Sequence, residues 1–254
     1  MLYGTHNSCT YGSLKGCCTD IILPWTRNQT LTLKEQLEKG VRWFDFRLTY
    51  NTADAVIYLS HTLCTNNDIH TMMKTFADFF NQSPEHSFVI INIRVDYNDR
   101  SNSGIINPIM DKIFTEHANL IFTRDEFYES GNPIPLMKSD THKKIMCYCS
   151  DGTIQNQLVF STDLMPTVAF WNAGTIERCE ELIQSLEVEF DKQKDGPFLY
   201  PRERMIVFDY SGYPPLFYTD YQQLELIKKY RETILNSRPS ILAGNHIEEL
   251  IALF

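Results

Sequence analysis

The chain has 254 residues, of which 43% are hydrophobic and 22% charged, a composition typical of a globular protein with a sizeable core. Its formal net charge is −9, and no run of Lys and Arg is long enough to follow a nucleic-acid backbone, so a nucleic-acid partner is excluded. The same negative charge argues against broad electrostatic adhesion to an anionic membrane.

Short apolar runs alternate with longer segments of helical periodicity. A strand precedes His6, and a short helix over residues 31–40 begins near Thr30 or Thr32 and ends at Gly40. Further strands are predicted over residues 41–48, 56–60, 88–94, 144–149, 167–171 and 205–209. Further helices are predicted over residues 69–81, 105–116, 176–190, 221–235 and 247–254.

This alternation, without internal repeats or a low-complexity linker, predicts an α/β protein with a parallel sheet. The pattern alone fits either an open sheet or a closed one. The length and the ionisable residues at the strand ends favour a barrel, because active sites of such barrels lie at the carboxyl ends of the strands. We therefore predict a single-domain distorted TIM (β/α) barrel over residues 1–254.

The period of two along the strands predicts which side chains share a face. In residues 41–48, Asp45 and Arg47 point to one side, and in residues 88–94, Asn92 and Arg94 share a face. Polar side chains facing inward are costly unless they are paired or used. Two adjacent strands would therefore bring all four to the same mouth.

The sequence predicts a reduced, cytoplasmic location. No basic and then apolar leader follows Met1, and no apolar run approaches the roughly 20 residues that span a bilayer. The seven cysteines are odd in number and include no Cys-x-x-Cys pair with zinc spacing; Cys147 and Cys149 are interpreted as core or strand thiols.

Three blocks near the start of the chain carry ionisable residues at strand ends. They contain His6 in Gly4-Thr5-His6-Asn7, Arg47 in the strand over 41–48, and His61 in Ser60-His61-Thr62. One histidine can take a proton, the other can give one, and a fixed cation can stabilise an anionic phosphorus between them. These are the groups needed to cleave a phosphodiester.

The blocks resemble the catalytic X domain of phosphatidylinositol-specific phospholipases C. Gly4-Thr5-His6-Asn7-Ser8 resembles the first-histidine motif, residues 33–47 the second block, Ser60-His61-Thr62 the second-histidine block, and residues 89–94 the next strand. One motif alone is a weak signal, whereas four in the right order are a strong one. The resemblance covers roughly the first hundred residues.

The family divides by metal use, and the resemblance is to its metal-independent branch, bacterial-type and X-domain-only. In the calcium-dependent branch acidic residues hold the metal at positions where this chain has Arg47 and Arg94. A guanidinium cannot coordinate calcium but binds phosphate bidentately, so no metal or other cofactor is expected. The bacterial branch usually has Asp after the first histidine, where this chain has Asn7.

The resemblance also implies roles in the C-terminal half. Asp209 ends the strand over 205–209 and matches an aspartate that orients the first histidine, but a helix N-cap is an alternative. Asp45 either acts directly or only holds Arg47 in place, and Arg94 either binds substrate or forms a strand-end salt bridge. Asn7 and Tyr210 are further candidates for substrate binding, Tyr210 in an aromatic stretch at the rim.

The implied reaction converts phosphatidylinositol to diacylglycerol and inositol 1,2-cyclic phosphate. His6 takes the proton of the inositol 2-hydroxyl, which attacks phosphorus; Arg47 stabilises the charge, and His61 protonates the leaving oxygen. Alternatives are a two-histidine phosphodiesterase for another head group and a catalytically weak phosphoinositide-binding protein.

A loop between the first histidine and the first helix carries Ile22, Leu23 and Trp25. Such residues suit the lipid interface, where tryptophan is favoured, and the alternative is that they cap the barrel core. The expected partners are thus the lipid substrate and a transiently contacted membrane surface, and no protein partner is identifiable.

Overall fold

The computed structural model describes residues 1–11, 29–61, 63–82, 88–130, 144–171, 173–209 and 218–254. The strands are β1 (Leu2–Thr5), β2 (Val41–Asn51), β3 (Val56–His61), β4 (Leu63–Asp68), β5 (Val89–Val95), β6 (Ile145–Tyr148), β7 (Val159–Phe160), β8 (Thr167–Ala169), β9 (Met205–Phe208) and β10 (Ile241–Gly244). The helices are α1 (Leu33–Glu38), α2 (Ile69–Gln82), a 3₁₀ helix (Tyr97–Asn102), α3 (Ser103–Glu116), α4 (Arg124–Ser130), α5 (Ile176–Gln184), α6 (Leu186–Asp191), α7 (Tyr218–Lys229), α8 (Arg231–Asn236) and α9 (Ile247–Leu253).

Eight strands form a curled parallel sheet in the order β7-β6-β5-β2-β1-β10-β9-β8. Within the described residues β7 and β8 end this order and do not pair with each other, so the barrel is distorted there. This confirms the predicted distorted TIM barrel. Parallel strands place their carboxyl ends, and the polar residues there, at one mouth.

β3 differs from the prediction of a parallel sheet. It pairs antiparallel with β2 and forms a hairpin with β4, outside the order of the barrel strands. β2 is long enough to project past the mouth, and β3 runs back along this projection. His61 therefore reaches the mouth from a strand that runs against the barrel strands.

Two apolar clusters occupy the two faces of the sheet. The inner cluster contains Trp43, whose indole N–H donates to the hydroxyl of Tyr148 at 2.9 Å. The outer cluster contains Phe44 and Phe46, which pack edge-on against Phe76 of α2 at 5.4 and 6.2 Å between ring centroids. The alternation along β2 therefore separates barrel interior from helical layer, as its period of two predicts.

Gly4 in β1 is required by this packing. A Cβ atom on Gly4 would lie 2.7 Å from Cε3 of Trp43 and 3.0 Å from Cβ of Ala243. Real Cβ atoms do not approach so closely in close-packed interiors. The small residue lets the large indole fill the barrel directly below His6.

Two predicted helices are each divided in two. The segment predicted over 176–190 breaks at Ser185, whose hydroxyl donates to the carbonyl of Glu181 at 2.8 Å, a bond that bends helices. The segment predicted over 221–235 begins at Tyr218 and breaks at Tyr230. No helix in the described part of the chain is both long and apolar enough to cross a bilayer.

Candidate active site

Polar side chains from five barrel strands and the β3 hairpin meet at the mouth. The register of β2 and β5 sets Asp45 opposite Asn92 and Arg47 opposite Arg94. The predicted gathering of these four residues is thereby confirmed. The remaining members follow strand ends, and they are His6 after β1, His61 at the end of β3, Asp209 after β9 and Asn245 after β10.

The turn after β1 is held by buried hydroxyl groups. Ser8 Oγ donates to the carbonyl of Thr5 at 2.9 Å and accepts from Thr5 Oγ1 at 2.7 Å. It also accepts from the backbone N–H of Asp45 at 2.9 Å. These bonds join the turn that carries His6 to β2, and so fix the imidazole relative to the strand that carries Asp45 and Arg47.

Gln29 ties the same turn to the neighbouring strand. Its buried amide Nε2 donates to the carbonyls of His6 and Gly244, each at 2.9 Å. Both carbonyls belong to backbone at the mouth ends of β1 and β10. One side chain therefore holds the two strand ends together below the site.

Three groups surround Nε2 of His6. Nη2 of Arg47 lies 3.4 Å away, Oδ2 of Asp45 3.6 Å and Oδ2 of Asp209 3.9 Å. Asn7, in the left-handed region at φ 48°, places its Nδ2 3.1 Å from Nδ1 and 3.2 Å from Nε2. The ring thus lies between a cation and two carboxyl groups.

Asn245 contacts the other ring nitrogen and is a residue that the sequence prediction missed. Its Oδ1 lies 3.2 Å from Nδ1 of His6. Since an amide oxygen only accepts, this contact favours the tautomer with hydrogen on Nδ1 and a lone pair on Nε2. Strand β10, which Asn245 follows, was not predicted because Ala243 and Gly244 give it a weak strand signal.

Asp45 is the charged centre of the site. Its Oδ1 accepts from Nδ2 of Asn92 at 2.9 Å and lies 3.5 Å from Nη2 of Arg94. Although burial raises the pKa of Asp45, Arg94, His6 and Arg47 together outweigh burial and lower that pKa. Among the described residues Asp45 is paired with Arg94 and His6, and the choice between a direct role and one of holding Arg47 in place remains a prediction.

Burial shifts the pKa values of His6 and Asp209 in opposite directions. It lowers the pKa of His6 to about 3, with Arg47 and His61 acting in the same direction and Asp45 against it. Burial raises the pKa of Asp209 to about 7. The backbone N–H of Phe170, which donates to Oδ1 at 2.8 Å, acts in the opposite direction and lowers that pKa. His6 is therefore neutral at pH 7 and able to accept a proton.

The second histidine faces the first across the mouth. The ring centroids of His6 and His61 lie 6.4 Å apart with an interplanar angle of 76°. The Nη2 of Arg47 lies beside His6 on the same rim. Two imidazoles at this separation leave room for a tetrahedral phosphorus group between them.

Part of the chain matches a known protein family. Residues 22–146 match the family model described as phosphatidylinositol-specific phospholipase C, X domain. This match covers 125 of the 254 residues, just under half of the chain. The recognised family and the predicted enzyme class, a phosphoric diester hydrolase or lyase, are thereby confirmed.

Solved structures share the fold of this chain. A phosphatidylinositol-specific phospholipase C from Listeria monocytogenes is 17% identical, with a TM-score of 0.67 over 100% of this chain and 92% of that one. A phosphatidylinositol-specific phospholipase C from Staphylococcus aureus is 15% identical, with a TM-score of 0.62 over 99% and 91%. A search among curated proteins found no match.

The metal site of the calcium-using X domains was predicted to be replaced by arginines. The structure places Arg47 and Arg94 side by side in β2 and β5, with Asp45 paired to Arg94. Among the described residues, no group of three or more His, Cys, Asp or Glu side chains has the geometry to hold a metal ion.

Four residues predicted for substrate or membrane contact lie outside the residues that the structure describes. They are Tyr210, Ile22, Leu23 and Trp25. The segment after Asp209 is also outside them, so the alternative of Asp209 as a helix N-cap stays untested. These assignments remain predictions.

Proposed function

We propose that this chain cleaves phosphatidylinositol to diacylglycerol and inositol 1,2-cyclic phosphate without a metal ion. One observation carries the proposal: two histidine rings 6.4 Å apart, with the guanidinium of Arg47 3.4 Å from one of them. A base, an acid and a fixed cation thereby surround one volume, as transfer of a phosphoryl group to a neighbouring hydroxyl requires.

His6 is the general base. Its neutral ring and the lone pair on Nε2 allow it to take the proton of the inositol 2-hydroxyl, while Nδ1–H is directed at Asn245. The imidazolium that forms lies 3.6 Å from the charged carboxylate of Asp45 and 3.9 Å from Asp209. These carboxyl groups stabilise the positive charge that develops on the ring.

The attacking oxygen forms a bond to phosphorus as the bond to the diacylglycerol oxygen breaks. Arg47 donates hydrogen bonds to the equatorial oxygens, and His61 gives its proton to the leaving oxygen. His61 is thereby the general acid, and the released alcohol is neutral. A water molecule can then open the cyclic product with the two histidines in exchanged roles.

Buried polar atoms at the mouth support a polyhydroxylated, anionic ligand. In the described part of the chain, Nε of Arg47 and of Arg94 and Oδ1 of Asn7 and of Asn92 are buried without a hydrogen-bond partner. An unsatisfied buried polar atom costs about 1–3 kcal/mol. Phosphate oxygens would satisfy the two donors, and inositol hydroxyls would satisfy the two acceptors.

Membrane contact is proposed at the same end of the barrel. Trp171 follows β8 at its carboxyl end and is 65% exposed. Together with the predicted Ile22, Leu23 and Trp25, it would place apolar side chains around the mouth, where lipid substrate must enter. We propose that this membrane contact is peripheral and that the protein is located in the cytoplasm, as the sequence predicts.

The deciding experiment is incubation with phosphatidylinositol vesicles in EDTA, followed by phosphorus NMR. We expect cyclic inositol phosphate from the wild type at an unchanged rate when calcium is chelated. We expect His6→Ala and His61→Ala to lower turnover by about 10²–10⁴-fold each while retaining the circular-dichroism spectrum of the wild type.

Other outcomes identify the alternatives. Turnover of other phosphodiester lipids only would indicate a different head group, and vesicle binding without turnover would indicate a phosphoinositide-binding protein. Near wild-type turnover in either folded histidine variant would contradict the assignment of the base and the acid.

A further inference from the structure

His61 lies at the end of an antiparallel strand that is outside the order of the barrel strands. Arg47 of the neighbouring strand β2 is paired on both sides, with Arg94 of β5 and with Ser60 of β3. The ladder between β2 and β3 stops at the pair of Arg47 and Ser60, and the ladder partner of His61 among the described residues is Leu63, in the turn of its own hairpin. The backbone register therefore ends one residue before the histidine.

A chain of hydrogen-bonded side chains continues from that point. Ser60, 3% exposed, donates its hydroxyl hydrogen to Oδ2 of Asp96 at 3.1 Å and accepts from Oγ1 of Thr49 at 2.9 Å. Thr49 belongs to β2, Ser60 to β3, and Asp96 follows β5. Three separate strand ends are thus connected next to His61.

The accepting carboxylate is itself fixed. Asp96 is 4% exposed, and its backbone N–H donates to the carbonyl of Leu48 at 2.8 Å. Its Oδ1 accepts from the backbone N–H of Asn98 at 3.1 Å, which caps the 3₁₀ helix. A carboxylate held at both oxygens is a rigid anchor, so the hydroxyl of Ser60 has one preferred position.

We propose that Ser60 and Asp96 are positioning residues that hold His61 in line with the oxygen of the leaving alcohol. The inference rests on the proposed function and assigns to it two residues that neither touch the phosphate nor exchange protons with it. A displacement of about 1 Å in a catalytic group can cost about 10²-fold in rate. The bond from Ser60 to Asp96 controls a displacement of this kind.

The chemistry of the leaving group distinguishes this role from general stability. When the P–O bond to an alkyl alcohol breaks, the oxygen needs the proton of His61. When the same bond to p-nitrophenol breaks, the oxygen departs as a stable phenolate and needs little proton transfer. A misplaced general acid slows the first reaction and spares the second.

The experiment compares two soluble substrates, a short-chain phosphatidylinositol and p-nitrophenyl inositol phosphate, in the full-length protein. We expect Ser60→Ala to lower kcat on the short-chain lipid by about 10- to 100-fold, with little change in KM. Cleavage of the nitrophenyl substrate should stay within about threefold of wild type. His61→Ala should show the same selectivity to a larger degree.

Ser237→Ala is the matched control. Ser237 is 2% exposed and donates one hydrogen bond, to the carbonyl of Ile234 at 2.7 Å, between α8 and β10 at the opposite end of the barrel. Ser237→Ala removes the same hydroxyl group as Ser60→Ala at similar burial, and it should not change the ratio of the rates on the two substrates. Asp96→Ala should change the ratio as Ser60→Ala does, and the double variant should be no worse, because the two residues act as one unit.

Equal losses on both substrates, or no loss on either, would overturn the inference while leaving the proposed function intact. Failure of the wild type to cleave either substrate would overturn both. A ratio that responds to Ser60→Ala and Asp96→Ala but not to Ser237→Ala supports the positioning role.

Discussion

His6 and Asn245 together define the proton-accepting atom of the site. The amide oxygen of Asn245 at Nδ1 selects the tautomer but offers little stabilisation to an imidazolium, since it carries no charge. The charges that do favour the imidazolium lie on the side of Nε2, where Asp45 and Asp209 approach. Orientation and charge stabilisation are therefore divided between the two ring nitrogens.

Asn245→Asp tests this division. A carboxylate at Nδ1 would stabilise the imidazolium, so we expect the pKa of His6 to rise above its present value of about 3. The acid limb of kcat/KM that reports protonation of His6 should then move to higher pH. NMR titration of the ring measures the pKa directly, and an unchanged value would contradict the assigned contact.

Asp209 lowers the stability of the folded protein at alkaline pH. Its pKa is raised from 3.8 to about 7, so the folded state keeps a proton that the unfolded state has already lost. The contribution of this protonated carboxyl group to the free energy of unfolding is fully present below pH 3.8 and is lost as the pH rises through 7. Asp209→Asn removes this dependence, and we expect it to raise the free energy of unfolding at pH 8 by a few kcal/mol.

Urea unfolding at pH 4 and pH 8 measures the effect. The amide can still accept from the backbone N–H of Phe170, so little change is expected at pH 4. A gain of equal size at both pH values would show that the carboxyl group is not the source.

At the scale of elements, the strands that carry strong alternation could be predicted together with their contacts. The period of two in β2 and β5 indicated that Asp45, Arg47, Asn92 and Arg94 share a face, and the register places them in opposed pairs. β4 and β10 could not be predicted in this way. β4 is polar and owes its pairing to β3, while β10 ends in Ala-Gly, so tertiary contacts rather than propensity make them strands.

Gly4→Ala tests the packing of β1 against β2. The added methyl group would lie 2.7 Å from Trp43, and we expect the free energy of unfolding to fall by about 1–3 kcal/mol. Gly104→Ala is the control, because a Cβ there meets nothing within 4 Å and Ala is the better helix former in α3. Equal stability of the two variants would contradict the close approach at Gly4.

At the scale of the whole molecule, the net charge of −9 limits how the protein can meet a membrane. The long-range interaction with anionic lipid is weak or repulsive, so the proposed membrane contact would depend on apolar side chains at the mouth. The proposed catalytic residues lie at that same end of the barrel. A surface that binds lipid there also orients the site toward its substrate.

Trp171→Ala should weaken partitioning to neutral phosphatidylcholine vesicles by roughly tenfold, with little dependence on salt. Tyr128→Ala is the control, since Tyr128 is 67% exposed on α4. The chain leads into α4 beside the amino end of β6, because the N–H of Phe122 donates to the carbonyl of Ile145, the first residue of β6. Sedimentation with vesicles measures both, and equal losses would indicate that the mouth has no special role.

The position of β1 between β2 and β10 also governs when a nascent chain can become active. His6 is synthesised well before its partner Asn245, which lies 239 positions later. Until β10 leaves the ribosome, one edge of β1 has no neighbour, and closure of so long a loop is slow. Activity should therefore appear only after β10 has left the ribosome, and a chain that stops before β10 should bind chaperones instead of lipid.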